Sequence, residues 1–404
     1  MEPLLLSRYT ATSALGRGLT PQREALEQGI SGLTPNDFDD AALDTRIGRV
    51  AGLENIALPP ALADCDCRNN RLALLGLEQD GFLAAAQAAV ARYGASRVAV
   101  ILGTSTSGIF DTELAYRRRD PHSGALPADF NYRGSHSIFG VAGFVRRAIG
   151  AGGPAWVVST ACSSSAKVFA AAVRLIHSGL ADAAVVGGVD SLCLTTLYGF
   201  NSLELVGPAP CRPYDAERSG ISIGEAAAFV LLERPREVAG VDEVSILLTG
   251  YGESSDAHHM SAPHPQGLGA QLAMNEALGR AGRTAREIDY INLHGTGTPA
   301  NDAAEGRAVA ACFGVESPPA ANSTKGATGH TLGAAGALEA VFCALALEHG
   351  FIPASPGTRT VDATIPLRYV IKARRADLRH VLSNSLGFGG SNCSLVFSRR
   401  EARS

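Results

Sequence analysis

Lysine is nearly missing from this 404-residue chain. Lys167, Lys325 and Lys372 are the only three, and the rest of the basic complement is arginine. Lysine carries a flexible point charge and arginine a planar fork, so each retained lysine marks a position that could need the former; Lys372 reads as a surface residue. A surplus of positive charge is missing as well. The 35 basic residues face 39 acidic ones, a formal charge of −4, which excludes a general nucleic-acid surface. No apolar run approaches the roughly 18 residues needed to cross a bilayer, and residues 1–6 are too short for the apolar core of a signal peptide. The expectation is a cytoplasmic protein with no membrane partner. Paired cysteine spacing is the third lack. Eight cysteines are scattered through the chain, and Cys65 and Cys67 have no second pair at zinc-ribbon spacing. In a reducing compartment a disulfide framework is excluded, and no metal site is expected.

What remains is a chain at 46% hydrophobic and 18% charged residues, long enough for a large core and two domain-sized units. It is organised around residues 157–165, Val-Val-Ser-Thr-Ala-Cys-Ser-Ser-Ser, which read as a buried strand end and a sharp turn, with a helix over 166–177. Cys162 is then expected at a helix start, where unpaired N–H groups and the helix dipole favour a thiolate. A buried small hydrophobe is the alternative. Before this unit come a short strand at 4–6, a helix at 22–28, one long helix over 70–93 and a buried strand at 97–103. After it come buried strands near 183–189 and 226–232. Alternating helices and apolar strands of this kind predict α/β architecture. The second half looks like a replay of the first: 321–326 with the Ala-rich helix 334–349 mirrors 159–177, and 389–397 mirrors 224–232. The expected halves are 1–240 and 241–404, with the site between them.

Two histidines join the cysteine. His294 follows the apolar stretch 288–293 and opens His-Gly-Thr-Gly-Thr; His330 closes Lys-Gly-Ala-Thr-Gly-His just before the Ala-rich helix. A strand end is where open α/β sheets place ligands. Together with Gly387-Phe388-Gly389-Gly390, these motifs resemble those of the β-ketoacyl-acyl carrier protein synthases, the Cys-His-His condensing enzymes of fatty acid and polyketide assembly. The likeness extends to Asp256–Met260, Arg212–Asp215 and Gly333–Glu339.

The resemblance implies an α/β, thiolase-like five-layer αβαβα fold of two similar halves related by pseudo-twofold symmetry. It implies that Cys162 takes the acyl chain from a carrier thioester. His294 and His330 would hydrogen-bond the thioester oxygen of malonyl-carrier as decarboxylation makes it an enolate. Lys325 and Glu339 would support that network, and Thr296 and Thr298 would bond the phosphopantetheine arm. Phe388 would be the gate, its N–H joining that of Cys162 as an oxyanion hole. No cofactor is implied beyond the phosphopantetheine of the acyl carrier protein, the expected partner alongside an identical or related ketosynthase-like subunit. The acyl pocket would be lined by residues 104–110 and the second subunit. On charge alone, Arg68, Arg71 and Arg117–Arg119 are candidates for docking the acidic carrier.

Two departures stand out. The first strand lacks the family's Gly-rich turn, and the nucleophile turn Cys-Ser-Ser-Ser is more similar to polyketide ketosynthases than to housekeeping enzymes. The alternatives are a chain-length factor, which usually replaces the nucleophile, and a thiolase, which needs a second cysteine such as Cys393.

Overall fold

The computed structural model describes residues 1–235 and 244–401. The expected boundary at 240/241 lies outside the described residues. One mixed sheet carries the fold. From one edge its first half runs Ala155–Val158, Val98–Gly103, Ala183–Asp190, Ala226–Glu233 and Leu4–Ser13. The first three strands are mutually parallel, and the next two join antiparallel. The second half repeats this order and polarity with Ala320–Asn322, Tyr290–Asn292, His380–Gly387, Ser391–Glu401 and Val244–Ser255; Arg368–Tyr369 is added at its edge. The halves join where Leu4 and Leu5 pair with Leu248 and Leu247. The duplication read from two Ala-rich helices is therefore present strand by strand.

Residue alternation explains the layers. In Val98–Gly103, Val98, Val100 and Leu102 face one core, with the helices Arg68–Leu77, Phe82–Tyr93 and Gly140–Ile149. Ala99 and Ile101 face the other core, built around Ser164–His177 and Ala335–His349. Those two helices pack on each other and contact strands of both halves, forming the middle layer. On the far side, Ile291, Ala321, Leu382 and Val396 pack against Leu268–Ala281 and Pro299–Phe313. The two halves of the sheet lie on either side of this middle layer, so the order is helix, half-sheet, helix, half-sheet, helix. The middle layer is rich in alanine because the helices approach closely. A Cβ on Gly336 would lie 2.6 Å from the Ala166 nitrogen.

Three readings change. The helix expected over 70–93 is two, Arg68–Leu77 and Phe82–Tyr93, broken where Asp80 and Gly81 take φ of 53° and 69°. Asp80 is diverted outward, accepting from the Leu19 N–H and the Thr10 hydroxyl. The first strand is longer than 4–6 and spans Leu4–Ser13, with a bulge between Leu6 and Arg8. Residues Leu332–His349 are after all long and apolar enough to cross a membrane by composition, but 89% of them are buried in the middle layer.

Candidate active site

Cys162 sits on a turn that its neighbours hold under strain. The strand Ala155–Val158 ends, Ala161 takes φ of 53°, and the helix starts at Ser164. A left-handed residue with a β-carbon costs roughly 1–2 kcal/mol, so other bonds must hold it. Serines do so. Ser164 Oγ accepts from the Thr160 N–H at 2.9 Å and donates to the Ala161 carbonyl at 2.5 Å; Ser163 Oγ donates to the Thr160 carbonyl at 2.9 Å. Ser165 Oγ accepts from the Ala337 N–H at 2.9 Å, tying this helix to its counterpart. The Cys-Ser-Ser-Ser turn thus has a structural account in this chain.

His294 lies two residues beyond Tyr290–Asn292. Glu305, on the helix Pro299–Phe313, accepts from the backbone N–H groups of His294 and Gly295 at 2.8 and 2.9 Å. Lys325 is fully buried. Its Nζ donates to the His294 carbonyl at 2.6 Å and to Glu339 Oε1 at 2.5 Å, and lies 3.4 Å from His294 Nδ1. His330 is pinned from the first half: its N–H donates to Ser222 and its carbonyl accepts from Gly224. Its Nδ1 accepts from the Leu332 N–H at 3.3 Å. An ammonium or an N–H on Nδ1 assigns the proton of a neutral ring to Nε2. Both imidazoles therefore present Nε2–H as the remaining donor.

The rings cross edge to face at 5.3 Å and 83°. Ligand atoms of Cys162, His294 and His330 all lie within 4.8 Å of one another. Such a trio is compact enough for a metal ion, but the Lys325 ammonium behind His294 and the protonated Nε2 positions oppose a cation. All three line a cavity of about 250 Å³ together with Thr296, Thr298, Phe200 and Phe388. The Thr296 and Thr298 hydroxyls bond each other at 2.8 Å. Phe388 packs on Phe200 at 5.7 Å, and its backbone N–H favours the charged form of the Cys162 sulfur.

Electrostatics correct one expectation. Burial pushes the Cys162 thiol up to about 11, against the opposing Lys325 charge and the Phe388 N–H. The resting group is a thiol, because desolvation is the largest influence on it. Burial, then the Lys325 charge, holds both imidazoles well below the usual histidine value, so they are neutral. Burial also raises the Glu339 carboxyl to about 7 against the pull of Lys325.

The structure brings every expected site residue to this cavity or to the Lys325–Glu339 pair behind it. Residues 104–110 do not line this cavity; Phe110 packs on Phe38. Arg68 is no docking residue. It is buried in a two-pronged pair with Glu225 and a third contact to Glu54. Arg71 is engaged by Asp66 and Arg117 by Asp39 and Asp40; Arg118, paired with Asp129, and Arg119 are also exposed. Cys393 is buried inside the strand Ser391–Glu401 and is not part of the cavity lining. Sequence reasoning missed Glu305 and Asp190. Both had a signal: Glu305 is a carboxylate on an Ala-rich helix directly after the His294 motif, and Asp190 ends a strand that is otherwise wholly apolar.

Fold and site together define a thiolase-like protein with a buried Cys-His-His centre. Residues 71–237 match the beta-ketoacyl synthase N-terminal domain and residues 246–359 its C-terminal domain. The mitochondrial 3-oxoacyl-[acyl-carrier-protein] synthase of Arabidopsis thaliana is 37% identical over 63% of this chain and 59% of its own length. The 3-oxoacyl-[acyl-carrier-protein] synthase 2 of Rhizobium meliloti is 41% identical over 61% of each. The chain thus spans about six tenths of the length of these curated relatives. Solved structures match throughout. A ketosynthase in complex with its chain length factor from Xenorhabdus doucetiae gives a TM-score of 0.87 at 38% identity over 98% of both chains. A beta-ketoacyl synthase from Burkholderia phymatum STM815 gives 0.88 at 27% identity over 100% of both. The chain belongs to the beta-ketoacyl synthase family.

Proposed function

We propose that this chain is a β-ketoacyl-acyl carrier protein synthase, an acyltransferase performing decarboxylative Claisen condensation in fatty acid or polyketide assembly. The observation that carries the reading is the convergence of Cys162, His294 and His330 within 4.8 Å. In the first half-reaction the Cys162 sulfur attacks the carrier thioester, the C–S bond to the carrier breaks, and the thiol proton leaves on the released carrier sulfur. The N–H groups of Phe388 and Cys162 receive the transient oxyanion. In the second, malonyl-carrier loses carbon dioxide. The electron pair becomes an enolate whose oxygen accepts from the Nε2–H of His294 and His330. Its carbon attacks the acyl-Cys162 carbonyl, and the sulfur departs and regains a proton.

Lys325 and Glu339 act behind His294, holding Nδ1 as an acceptor. Thr296 and Thr298 offer hydroxyls to the phosphopantetheine arm on the cavity wall. The retained nucleophile speaks against a chain-length factor, and the position of Cys393 within a strand against a thiolase. Partners are an acyl carrier protein and a second ketosynthase-like subunit. The edge strand Ala155–Val158, with half-buried Trp156 and Val158, supports the latter, as do the solved relatives that carry a chain length factor. Eight free cysteines suit a reducing compartment such as the cytoplasm.

The test is to incubate the purified protein with a panel of acyl-carriers, read acylation of Cys162 by intact mass, and then add malonyl-carrier and follow carbon dioxide. Acylation followed by release supports the proposal. A protein that never gains acyl mass, or gains it on another residue, refutes it.

A further inference from the structure

The mechanism leaves the buried carboxylate of Asp190 unused. Asp190 ends the strand Ala183–Asp190, is fully buried, and has no ion-pair partner among the described residues. Its Oδ1 accepts from the Thr104 hydroxyl at 2.6 Å, the Ser105 and Thr106 N–H groups at 2.7 and 2.8 Å, and the Thr106 hydroxyl at 2.8 Å. Its Oδ2 accepts from the Ser105 N–H at 3.0 Å and, from the other half of the molecule, the Gly333 N–H at 2.5 Å.

Gly333 closes the turn His330-Thr331-Leu332-Gly333. Leu332 takes φ of 53° within it, and its N–H is the one that bonds His330 Nδ1. A leucine left to itself avoids that conformation, because its β-carbon meets the following carbonyl. The contact also has no slack. A Cβ at Gly333 would stand 2.8 Å from Asp190 Oδ2 and 2.7 Å from Ser105 Oγ.

We propose that Asp190 is the positioning residue of His330: by anchoring the Gly333 peptide it holds Leu332 left-handed, and so holds the Leu332 N–H on Nδ1 and the ring proton on Nε2. The two imidazoles are then set by different carboxylates. Glu305 and the Lys325–Glu339 pair, all of the second half, serve His294, whereas Asp190 reaches His330 across the two halves. The kinetic consequence rests on the condensing activity proposed above; the ring geometry does not.

Asp190→Asn separates the two. Four donors crowd Oδ1, so the amide oxygen takes that place and its NH2 turns toward the Gly333 N–H, donor against donor. With ring-15N histidine in the full chain, His330 of the unaltered protein should show a bare Nδ1 and a protonated Nε2. In Asp190→Asn a mixture of tautomers is expected. Carbon dioxide release from malonyl-carrier should fall roughly ten- to a hundredfold while Cys162 acylation stays within about threefold. Thr106→Val removes one donor to Oδ1 but keeps the Gly333 contact, and should leave both the His330 spectrum and the release of carbon dioxide unchanged. Should Asp190→Asn not fold, Gly333→Ala displaces the same peptide and carries the same expectation. An unchanged His330 tautomer in the displaced variant would overturn the proposal, as would equal losses of release in Asp190→Asn and Thr106→Val. If the unaltered protein released no carbon dioxide, the condensing activity would fall, and the His330 spectrum would still decide the role of Asp190.

Discussion

Cys162 and His330 occupy corresponding places in the two halves, each just ahead of one of the two central helices, Ser164–His177 and Ala335–His349. The same scaffold serves opposite purposes there. Ahead of the first helix a strained Ala161, held by serine hydroxyls, presents a sulfur. Ahead of the second, a strained Leu332 bonds back to an imidazole. Neither group draws its chemistry from the helix start alone. Burial keeps the cysteine a thiol and the imidazole neutral, and the fixed N–H groups around each decide which atom faces the cavity. A duplicated fold thus places two polar groups close together, and in the proposed reaction the local contacts suit one to act as nucleophile and the other as donor.

The strongest way to break this division is to remove the sulfur. Cys162→Ala should abolish acyl transfer to the protein while its melting temperature stays within a few degrees, since loss of one buried sulfur leaves only a small gap. Residual acyl mass on the variant would place the nucleophile elsewhere. Next comes the donor side. His294→Ala and His330→Ala should each slow carbon dioxide release by on the order of a hundredfold or more, and each should spare acylation. Loss of acylation with release retained would make the imidazoles bases for Cys162.

A pH comparison sharpens the same contrast. With its thiol raised to about 11, Cys162 should be alkylated by iodoacetamide faster with every step in pH up to that value, about tenfold per unit. The imidazoles are held below the ordinary range, so they stay neutral as pH falls through 6.5. Carbon dioxide release should therefore show no inflection there, and one would mean that a ring is gaining a proton. The smallest effect concerns the carrier. Arg118→Glu with Arg119→Glu should raise KM for acyl-carrier a fewfold, more at low than at physiological salt, and leave kcat alone. A salt-independent KM in both proteins would remove these arginines from the docking surface.

Local pattern was enough for much of this protein. The Ala-rich helices, the apolar strand at Val98–Gly103 and the turn before Ser164 follow from periodicity and small polar residues, which act over a few positions. The site residues could be named because Cys162, His294, Lys325 and His330 each sit in a Gly, Ser or Thr turn that has no other business in an apolar chain. What the chain could not disclose alone is whatever depends on segments far apart meeting. Arg68 reads as a free surface charge until Glu225, 157 positions away, buries it. Thr104, Ser105 and Thr106 read as an ordinary Ser/Thr loop until the Asp190 carboxylate, more than eighty positions away, gathers them. The thiol at Cys162 reads as activated until packing removes its water. Residue types, turns and periodicity were therefore set by the sequence, whereas desolvation, ion pairing and tautomer were decided only by the tertiary structure, because each is the energy of a group among neighbours that the linear chain does not place beside it.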